Sequence, residues 1–222
     1  ARVADAASQT SLARHFLRSR QLDRALSAAF LAADFNMDVF AVDTARELLR
    51  DGLALMDDLP GQHDHWRCAF LGRLAAVERW RGDFVAMGAC LDRAIPLAER
   101  LRENETLVRL LVLQGAYYKQ QMTSASFRGA VDVLQRATKI MASGSLVTQT
   151  RCRFYLGQAH FYLGRAEEAR ASFEEAVRLA KRANLPFWEA KSLAFVGYLE
   201  TVSGQARREA GFAKLAAAAE IQ

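Results

Sequence analysis

The chain has 222 residues, of which 51% are hydrophobic and 25% are charged, and its formal net charge is +5. This apolar fraction excludes a disordered chain, and the length suits one ordinary domain or one solenoid of repeats. The longest apolar runs fall far short of the roughly 20 residues that a membrane-spanning helix needs, so no transmembrane segment is predicted.

Residue usage predicts a helical protein. Ala, Leu, Arg and Glu dominate, only three prolines occur, and strand-like alternation of Val, Ile and Thr is rare. The cysteines are three in number and widely spaced, at Cys68, Cys90 and Cys152. This spacing argues against a disulfide framework and against a zinc site, and it predicts a cytoplasmic protein.

The N-terminal 60 residues are predicted to form atypical helices. The opening, ARVADAASQT, lacks a Met and a signal-peptide pattern, so we expect a piece of a longer protein whose neighbouring domains are missing. Apolar stripes from Leu12 to Leu17 and from Leu22 to Phe30 predict a first helical hairpin that turns at residues 19–21. A third stripe runs from Val39 and is predicted to stop at residues 57–61, where Pro and Gly follow two Asp residues.

Four helical hairpins are predicted to follow, over residues 62–102, 105–142, 146–184 and 187–221. Gly82 with Asp83, residues 123–126, and Gly164 with Arg165 supply the turns of the first three hairpins. The predicted helices are 64–81, 84–102, 105–121, 127–142, 146–163, 166–183, 187–203 and 206–221.

Self-alignment of the hairpins places small residues at recurring positions. The first helices carry Ala75, Gly115, Gly157 and Gly197 at one position. The second helices alternate small and large residues, as at Ala169, Phe173 and Ala176. Such alternation allows two helices to interlock, so these residues are predicted to pack.

The pattern of residues 151–184, RCRFYLGQAHFYLGRAEEARASFEEAVRLAKRAN, resembles the tetratricopeptide repeat. A mid-helix Leu-Gly, a Gly before the second helix, and then Ala, Phe and Ala carry the resemblance, with His160 where an aromatic residue is usual. The resemblance implies an all-α, right-handed superhelical solenoid of antiparallel helix pairs, with about eleven helices in a single domain over residues 1–222.

A second resemblance concerns residues 12–26, LARHFLRSRQLDRAL. This stretch is similar to the start of the repeat region in multidomain bacterial regulators with an upstream STAND-type ATPase, including LuxR-type activators similar to the maltose-regulon activator and ATPase-coupled cyclases. The chain has no G-x-x-x-x-G-K-[ST] loop and no recognisable DNA-reading module. The resemblance therefore implies that ATPase or DNA-binding domains lie in missing neighbours.

No catalytic residue, metal ligand or cofactor is predicted. Gln62, His63, Asp64 and His65 contain the close histidine pair, but a polar loop that enters a helix, with Asp64 as its cap, explains them better than a metal site. Adjacent acidic residues on a helix, such as Glu167 and Glu168, point about 100° apart and do not face each other. We therefore expect a protein that is not an enzyme.

The repeat resemblance implies a binding surface on the inner wall formed by the first helices. The predicted site residues on this concave face are Arg79, Trp80, Arg109, Lys119, Gln120, Arg151, Gln158, Phe161, Tyr162, Lys191 and Tyr198. Cations, amides and rings of this kind suit an acidic or amphipathic peptide, a protein partner or a small polar effector. The alternative is that Trp80, Phe161 and Tyr198 pack under the next repeat.

Three functions remain open. The first is a sensor or interaction region of a larger bacterial transcriptional or signalling regulator, and the second is a free-standing adaptor that binds a peptide or protein. The third is direct nucleic-acid binding through basic helices, with Arg14, Arg18, Arg20, Arg24, Arg207, Arg208 and Lys214 as contacts. The Ala-rich run 213–219 is a weak cap, so homo-oligomers could form through exposed end helices.

Overall fold

A computed structural model describes residues 2–19, 21–58, 63–141, 145–203 and 205–221. These ranges contain eleven α-helices and no β-strand, which confirms the predicted all-α class. The helices are α1 (Arg2–Ser19), α2 (Leu22–Asp38), α3 (Val42–Asp58), α4 (Asp64–Arg81), α5 (Phe84–Leu101), α6 (Asn104–Gln120), α7 (Ser124–Ile140), α8 (Leu146–Tyr162), α9 (Ala166–Arg182), α10 (Pro186–Val202) and α11 (Gln205–Ile221).

The helices group into two compact units, residues 1–106 and residues 107–222. In the first unit, each helix from α1 to α4 packs on the next, and α2 also contacts α4. In the second unit, each helix from α7 to α10 packs on the next, and α8 also contacts α10. Consecutive antiparallel helices therefore form each unit, and in the second unit the first helices of two hairpins, α8 and α10, contact each other. That residues 1–222 act as a single domain stays a prediction.

The hairpin turns share one backbone geometry. Gly82 and Gly164 have φ angles of 75° and 73°, in the left-handed region. After each glycine, the next amide donates a hydrogen bond to a carbonyl five residues earlier, from Asp83 to Glu78 at 3.0 Å and from Arg165 to His160 at 2.9 Å. This bond pattern satisfies the last carbonyls of α4 and α8, so these turns close their helices.

Glycines in the first helices allow close helix contacts, as the self-alignment predicts. A Cβ atom on Gly157 would lie 2.8 Å from the ring of Phe173, and one on Gly115 would lie 2.7 Å from the side chain of Leu134. Ala169, Phe173 and Ala176 are fully buried. The predicted packing register of the second unit is therefore confirmed.

The start of α7 differs from the prediction. Residues 123–126 were predicted as a turn before a helix from Phe127, but α7 begins at Ser124. The Thr123 hydroxyl accepts a hydrogen bond from the Ser126 amide at 3.0 Å, and the Ser126 hydroxyl accepts one from the Thr123 amide at 3.1 Å. This reciprocal capping box satisfies two amides at the helix end, which is why these polar residues join the helix.

Replacing Thr123 with alanine should destabilise the second unit by about 1 kcal/mol, because the Ser126 amide loses its acceptor. The loss is measured as a change in the free energy of urea-induced unfolding. Ser124→Ala is the matched control, since Ser124 lies in the same turn and is exposed. Equal effects of the two substitutions would show that the capping box is not the cause.

Asp64 is not the helix cap that the sequence predicts. The N-cap of α4 is His63, without a side-chain cap bond, and Asp64 lies in the first turn. Its carboxylate instead accepts a hydrogen bond from the Arg100 guanidinium of α5 at 2.6 Å. Gln62, residues 59–61 of the predicted stop after α3, and residues 143–144 and 204 between predicted helices lie outside the described residues.

Candidate partner-binding surface

A buried aromatic cluster joins α8 to α10 in the second unit. The Phe154 ring of α8 lies 5.3 Å from the Trp188 ring and 5.8 Å from the Phe195 ring, both on α10. The Phe195 ring stacks on Phe173 of α9, with ring centres 4.6 Å apart and an interplanar angle of 13°. These contacts hold α8 and α10 side by side, so the two helices rigidly support the exposed side chains that they carry.

Aromatic rings on the solvent side continue this cluster. The Phe161 ring meets those of Phe195 and Tyr198 edge-on, at 5.6 and 5.7 Å. The Tyr162 ring stacks on Phe127 of α7, with centres 4.8 Å apart. Tyr162 is 38% exposed and Tyr198 is 49% exposed. Ring packing therefore fixes both tyrosines while part of each remains in contact with solvent.

Two cations lie over the rings near the start of α8 and α10. The Lys191 ammonium is 4.6 Å from the centre of the Phe187 ring, and the Arg151 guanidinium carbon is 5.9 Å from the centre of the Trp188 ring. Phe187 is exposed and was not among the predicted site residues. Its signal was the spacing of four residues to Lys191, which brings both side chains to one helix face.

Together these side chains form what we refer to as the α8–α10 surface. Its members are Arg151, Phe161, Tyr162, Phe187, Lys191 and Tyr198. The structure thus brings together five of the predicted site residues and adds one. The surface offers exposed rings and two positive charges, which suits apolar and anionic groups of another molecule.

Gln158 does not belong to this surface. It was predicted to face a ligand, but it is only 7% exposed. Helix α8 contacts α7, α9 and α10, so most of its circumference is covered by neighbouring helices. The buried position leaves the Gln158 amide little area for a ligand.

The other predicted site residues lie elsewhere. Arg109, Lys119 and Gln120 are on α6, where Arg109 and Gln120 are exposed and Lys119 is half-buried. Arg79 and Trp80 are on α4, in the first unit. The predicted group is therefore divided between the two compact units, and a binding role for these five residues stays a prediction.

His160 lies in the interior, as its repeat position predicts. It is 6% exposed, and burial lowers the pKa of its imidazole, while the nearby Glu168 carboxylate opposes that shift and Arg165 adds to it. The neutral form is therefore favoured in the folded chain. The unfolded chain takes up a proton at higher pH than the folded chain does.

Stability should consequently fall as the pH drops through and below the unfolded histidine pKa of about 6.5, because only the unfolded state gains the proton there. The check is the free energy of unfolding at pH 7.5 and pH 5.5 for the natural chain and for His160→Gln. The substitution should reduce the difference between the two pH values. An unchanged difference would assign the acid sensitivity to other groups.

The described residues hold no evident site for a metal ion. No group of three or more His, Cys, Asp or Glu side chains converges anywhere in these ranges. His65 contacts the Glu103 carboxylate through Nδ1 at 2.5 Å, which engages one member of the predicted pair. Cys90 is buried, and this burial raises the pKa of its thiol to about 11, which disfavours a reactive thiolate. Helices long and apolar enough to cross a bilayer are absent from the ranges that the structure describes.

Many basic side chains are paired with acids. Arg14 contacts Glu47 at 3.3 Å, and Arg73 contacts Asp34 at 2.8 Å. Lys214 pairs with Glu200. Such pairs lower the local positive potential around these three cations.

The sequence spacing of Glu167 with Arg170 and of Glu174 with Arg178 predicts two surface ion pairs within α9. The pair of Glu167 with Arg170 is confirmed. The predicted pair of Glu174 with Arg178 is wrong, because Arg178 contacts Glu175 instead. Residues three apart lie as close on a helix as residues four apart, so spacing alone does not choose between them.

The hairpin of α8 and α9, with its glycine turn and its Gly157–Phe173 contact, has the features of a tetratricopeptide repeat. In sequence, residues 151–183 match the tetratricopeptide repeat family. This segment is a tetratricopeptide repeat, and the chain has a tetratricopeptide-like fold. No curated protein matches the chain in sequence.

Solved structures share this fold at low sequence identity. BtubC (BKLC) from P. vanneervenii is 15% identical with a TM-score of 0.71, and the match covers 99% of this chain and 89% of that one. The STAND protein with a tetratricopeptide repeat sensor from Pyrococcus horikoshii is also 15% identical with a TM-score of 0.71, over 94% of this chain and 32% of that one. A putative kinesin light chain with nearly identical TPR-like repeats from Podosopora anserina is 17% identical with a TM-score of 0.61, over 97% and 93%.

Proposed function

We propose that this chain is a non-catalytic module that binds a protein or peptide partner on the α8–α10 surface. The observation that carries the proposal is the combination of fixed, partly exposed rings with two cations on adjoining first helices. Tyrosine and phenylalanine side chains offer a large contact area at low entropic cost. A partner segment with carboxylates beside apolar side chains is the best complement to this surface.

We further propose that the module is the regulatory region of a larger cytoplasmic regulator, in which partner binding biases a neighbouring domain between two states. The resemblance of residues 12–26 to bacterial regulators supports this context. The fold similarity to the STAND protein with a repeat sensor from Pyrococcus horikoshii also supports it, and the chain corresponds to about a third of that protein. An ATPase encoded upstream in the same reading frame is the expected finding.

A free-standing adaptor is the second candidate. The similarity to BtubC and to a putative kinesin light chain favours it, because the match covers about nine-tenths of each of those chains. A reading frame that encodes only these helices would favour the adaptor over the regulator. Binding on the α8–α10 surface is common to both proposals.

Direct nucleic-acid binding ranks last among the proposals. Of the residues predicted to contact nucleic acid, Arg14 and Lys214 form ion pairs, and Arg24 donates a hydrogen bond to Gln21. Arg20 and the side chain of Arg207 lie outside the described residues. Duplex binding that weakens steeply with salt would revive this function, and its absence at low salt would dismiss it.

A photo-crosslinking experiment tests the proposed surface. A photoreactive amino acid is placed at position 198 or 162 of the full-length protein in its own cells. Position 171, an exposed residue of α9, is the control. The proposal expects one partner to be cross-linked from 198 and 162 and not from 171. The purified partner should then bind Arg151→Glu with Lys191→Glu at least tenfold more weakly than the natural chain, a loss of about 1.4 kcal/mol.

Self-association through the end helices is also proposed. In α11, Phe212 is 58% exposed, and Ala213, Ala216 and Ala219 are exposed as well. Light scattering over a range of concentrations should then show a mass that rises with concentration. Phe212→Ala should reduce that rise, whereas a constant monomer mass would contradict the proposal.

A further inference from the structure

Two large aromatic side chains of the first unit are exposed to solvent and contact each other. Phe40 is 75% exposed and Trp80 is 60% exposed, and their rings meet edge to face with centres 6.2 Å apart. Phe40 lies in the turn between α2 and α3, and Trp80 lies in the last turn of α4. The contact therefore presents a pair of rings to solvent.

The backbone at Phe40 makes this arrangement costly. Its φ angle is 60°, in the left-handed region that a bulky residue rarely adopts. The turns after α4 and α8 carry Gly82 and Gly164 with similar φ angles, whereas those after α5, α6 and α9 carry the non-glycine residues Arg102, Met122 and Asn184. The positive φ thus belongs to the turn, which the Ala41 amide closes with a hydrogen bond to the Asn36 carbonyl at 2.8 Å. Neither backbone preference nor burial explains phenylalanine at position 40.

The second unit has an aromatic residue, Tyr162, at the position equivalent to Trp80. Tyr162 is the last residue but one before its glycine turn, as Trp80 is before Gly82. The Tyr162 ring stacks flat on Phe127, which is buried. Trp80 instead meets Phe40, a ring that is itself exposed. Packing therefore accounts for Tyr162 and does not account for Trp80.

An exposed acidic residue lies two positions before Phe40. Asp38 ends α2 next to the turn and is exposed. Asp34 lies one turn earlier; burial raises the pKa of its carboxyl, Arg73 lowers it, and the Asp38 charge raises it further. Two arginines of α4 are engaged by acids, Arg73 by Asp34 and Arg81 by Asp43 and Glu78. The Asp38 carboxylate is left as the charge that a partner can meet.

We propose that Phe40, Trp80 and Asp38 form a second docking point, in the first unit, for a partner segment that presents Arg or Lys beside an apolar side chain. Aromatic rings attract the charged groups of Arg and Lys and also pack against the alkyl parts of these side chains. The Asp38 carboxylate complements their positive charge. The partner chemistry is opposite in sign to that of the α8–α10 surface. This docking point goes beyond the proposed function and does not depend on it.

A displayed library of random peptides, selected on the full chain and counter-selected on Trp80→Ala, tests the proposal. The expected result is enrichment of peptides that contain Arg or Lys next to an apolar residue. A synthesised winner should bind Trp80→Ala at least tenfold more weakly and Asp38→Asn about fivefold more weakly. Val85→Ala and Tyr198→Ala are controls that should leave binding unchanged, because Val85 is exposed on α5 and Tyr198 belongs to the α8–α10 surface.

Phe40→Gly separates a binding role from a structural one. Glycine adopts the left-handed conformation without strain, so this substitution should raise the melting temperature by roughly 2–4 °C. It should also weaken peptide binding at least tenfold. A fall in both melting temperature and binding would assign Phe40 to the fold and would overturn the proposal.

Three further outcomes would also overturn the proposal. The first is enrichment of acidic peptides or of none. The second is binding that Trp80→Ala and Phe40→Gly leave unchanged. The third is a concentration-dependent dimer that Trp80→Ala abolishes, because the occupant would then be a second copy of this chain.

Discussion

Replacing Phe173 with alanine is expected to destabilise the second unit by about 3–5 kcal/mol. The Phe173 side chain is fully buried and stacks on Phe195 with ring centres 4.6 Å apart. Gly157 leaves the space that this ring fills, since a Cβ there would lie 2.8 Å from it. An alanine would remove most of these contacts and leave a cavity between three helices that cannot fully close.

Urea-induced unfolding followed by circular dichroism measures this loss. The control is Val202→Ala, because Val202 is 62% exposed and its replacement should change stability by less than about 0.5 kcal/mol. Similar effects of the two substitutions would contradict the central place of the Phe173 ring. Loss of binding on the α8–α10 surface should accompany the destabilisation, because Phe195 also supports Phe161.

The second large effect is expected from Glu78→Ala, which should destabilise the first unit by about 2–4 kcal/mol. The Glu78 carboxylate is fully buried and accepts a hydrogen bond from Arg46 Nε at 2.7 Å. Arg81 lies 3.3 Å from it and Arg50 lies 3.9 Å from it. Without the carboxylate, three guanidinium groups would lie close together, and none can lose its charge.

Glu47→Ala is the control for this substitution. Glu47 pairs with Arg14 at 3.3 Å, and both side chains are largely exposed, so the pair should contribute at most about 1 kcal/mol. Added salt should reduce the stability loss caused by Glu47→Ala far more than the loss caused by Glu78→Ala, because salt screens an exposed ion pair more than a buried one. A loss for Glu78→Ala no greater than that for Glu47→Ala would show that the buried carboxylate does not organise the arginines.

Local signals allowed most of the helices to be predicted. Helix α4 was predicted at its observed limits, because Gly82 and Asp83 mark its end and the α5 cap: the Asp83 carboxylate accepts a hydrogen bond from the Ala86 amide at 2.9 Å. The start of α7 was missed, because Thr123 and Ser126 favour turns until their reciprocal bonds are considered. Helix limits thus follow from sequence where glycine or a single cap decides them.

The candidate site was less predictable, because its parts depend on contacts between distant residues. Gln158 has the spacing of a surface residue on α8, and only the packing of three helices around α8 buries it. Phe40 and Trp80 are 40 positions apart, and no local pattern announces their contact. Likewise, the local sequence gives Glu78 no special role, because its partner Arg46 lies on α3, 32 residues away. Tertiary contacts of this kind are not encoded in a short sequence window.

The most direct test of partner binding on the α8–α10 surface is the dissociation constant of the cross-linked partner. It is measured by calorimetry for the natural chain, for the Arg151→Glu and Lys191→Glu double variant, and for Arg178→Glu on α9. Binding should weaken at least tenfold in the double variant and stay unchanged in Arg178→Glu, whose side chain is exposed outside the surface. Equal affinities in all three proteins would contradict the proposed surface.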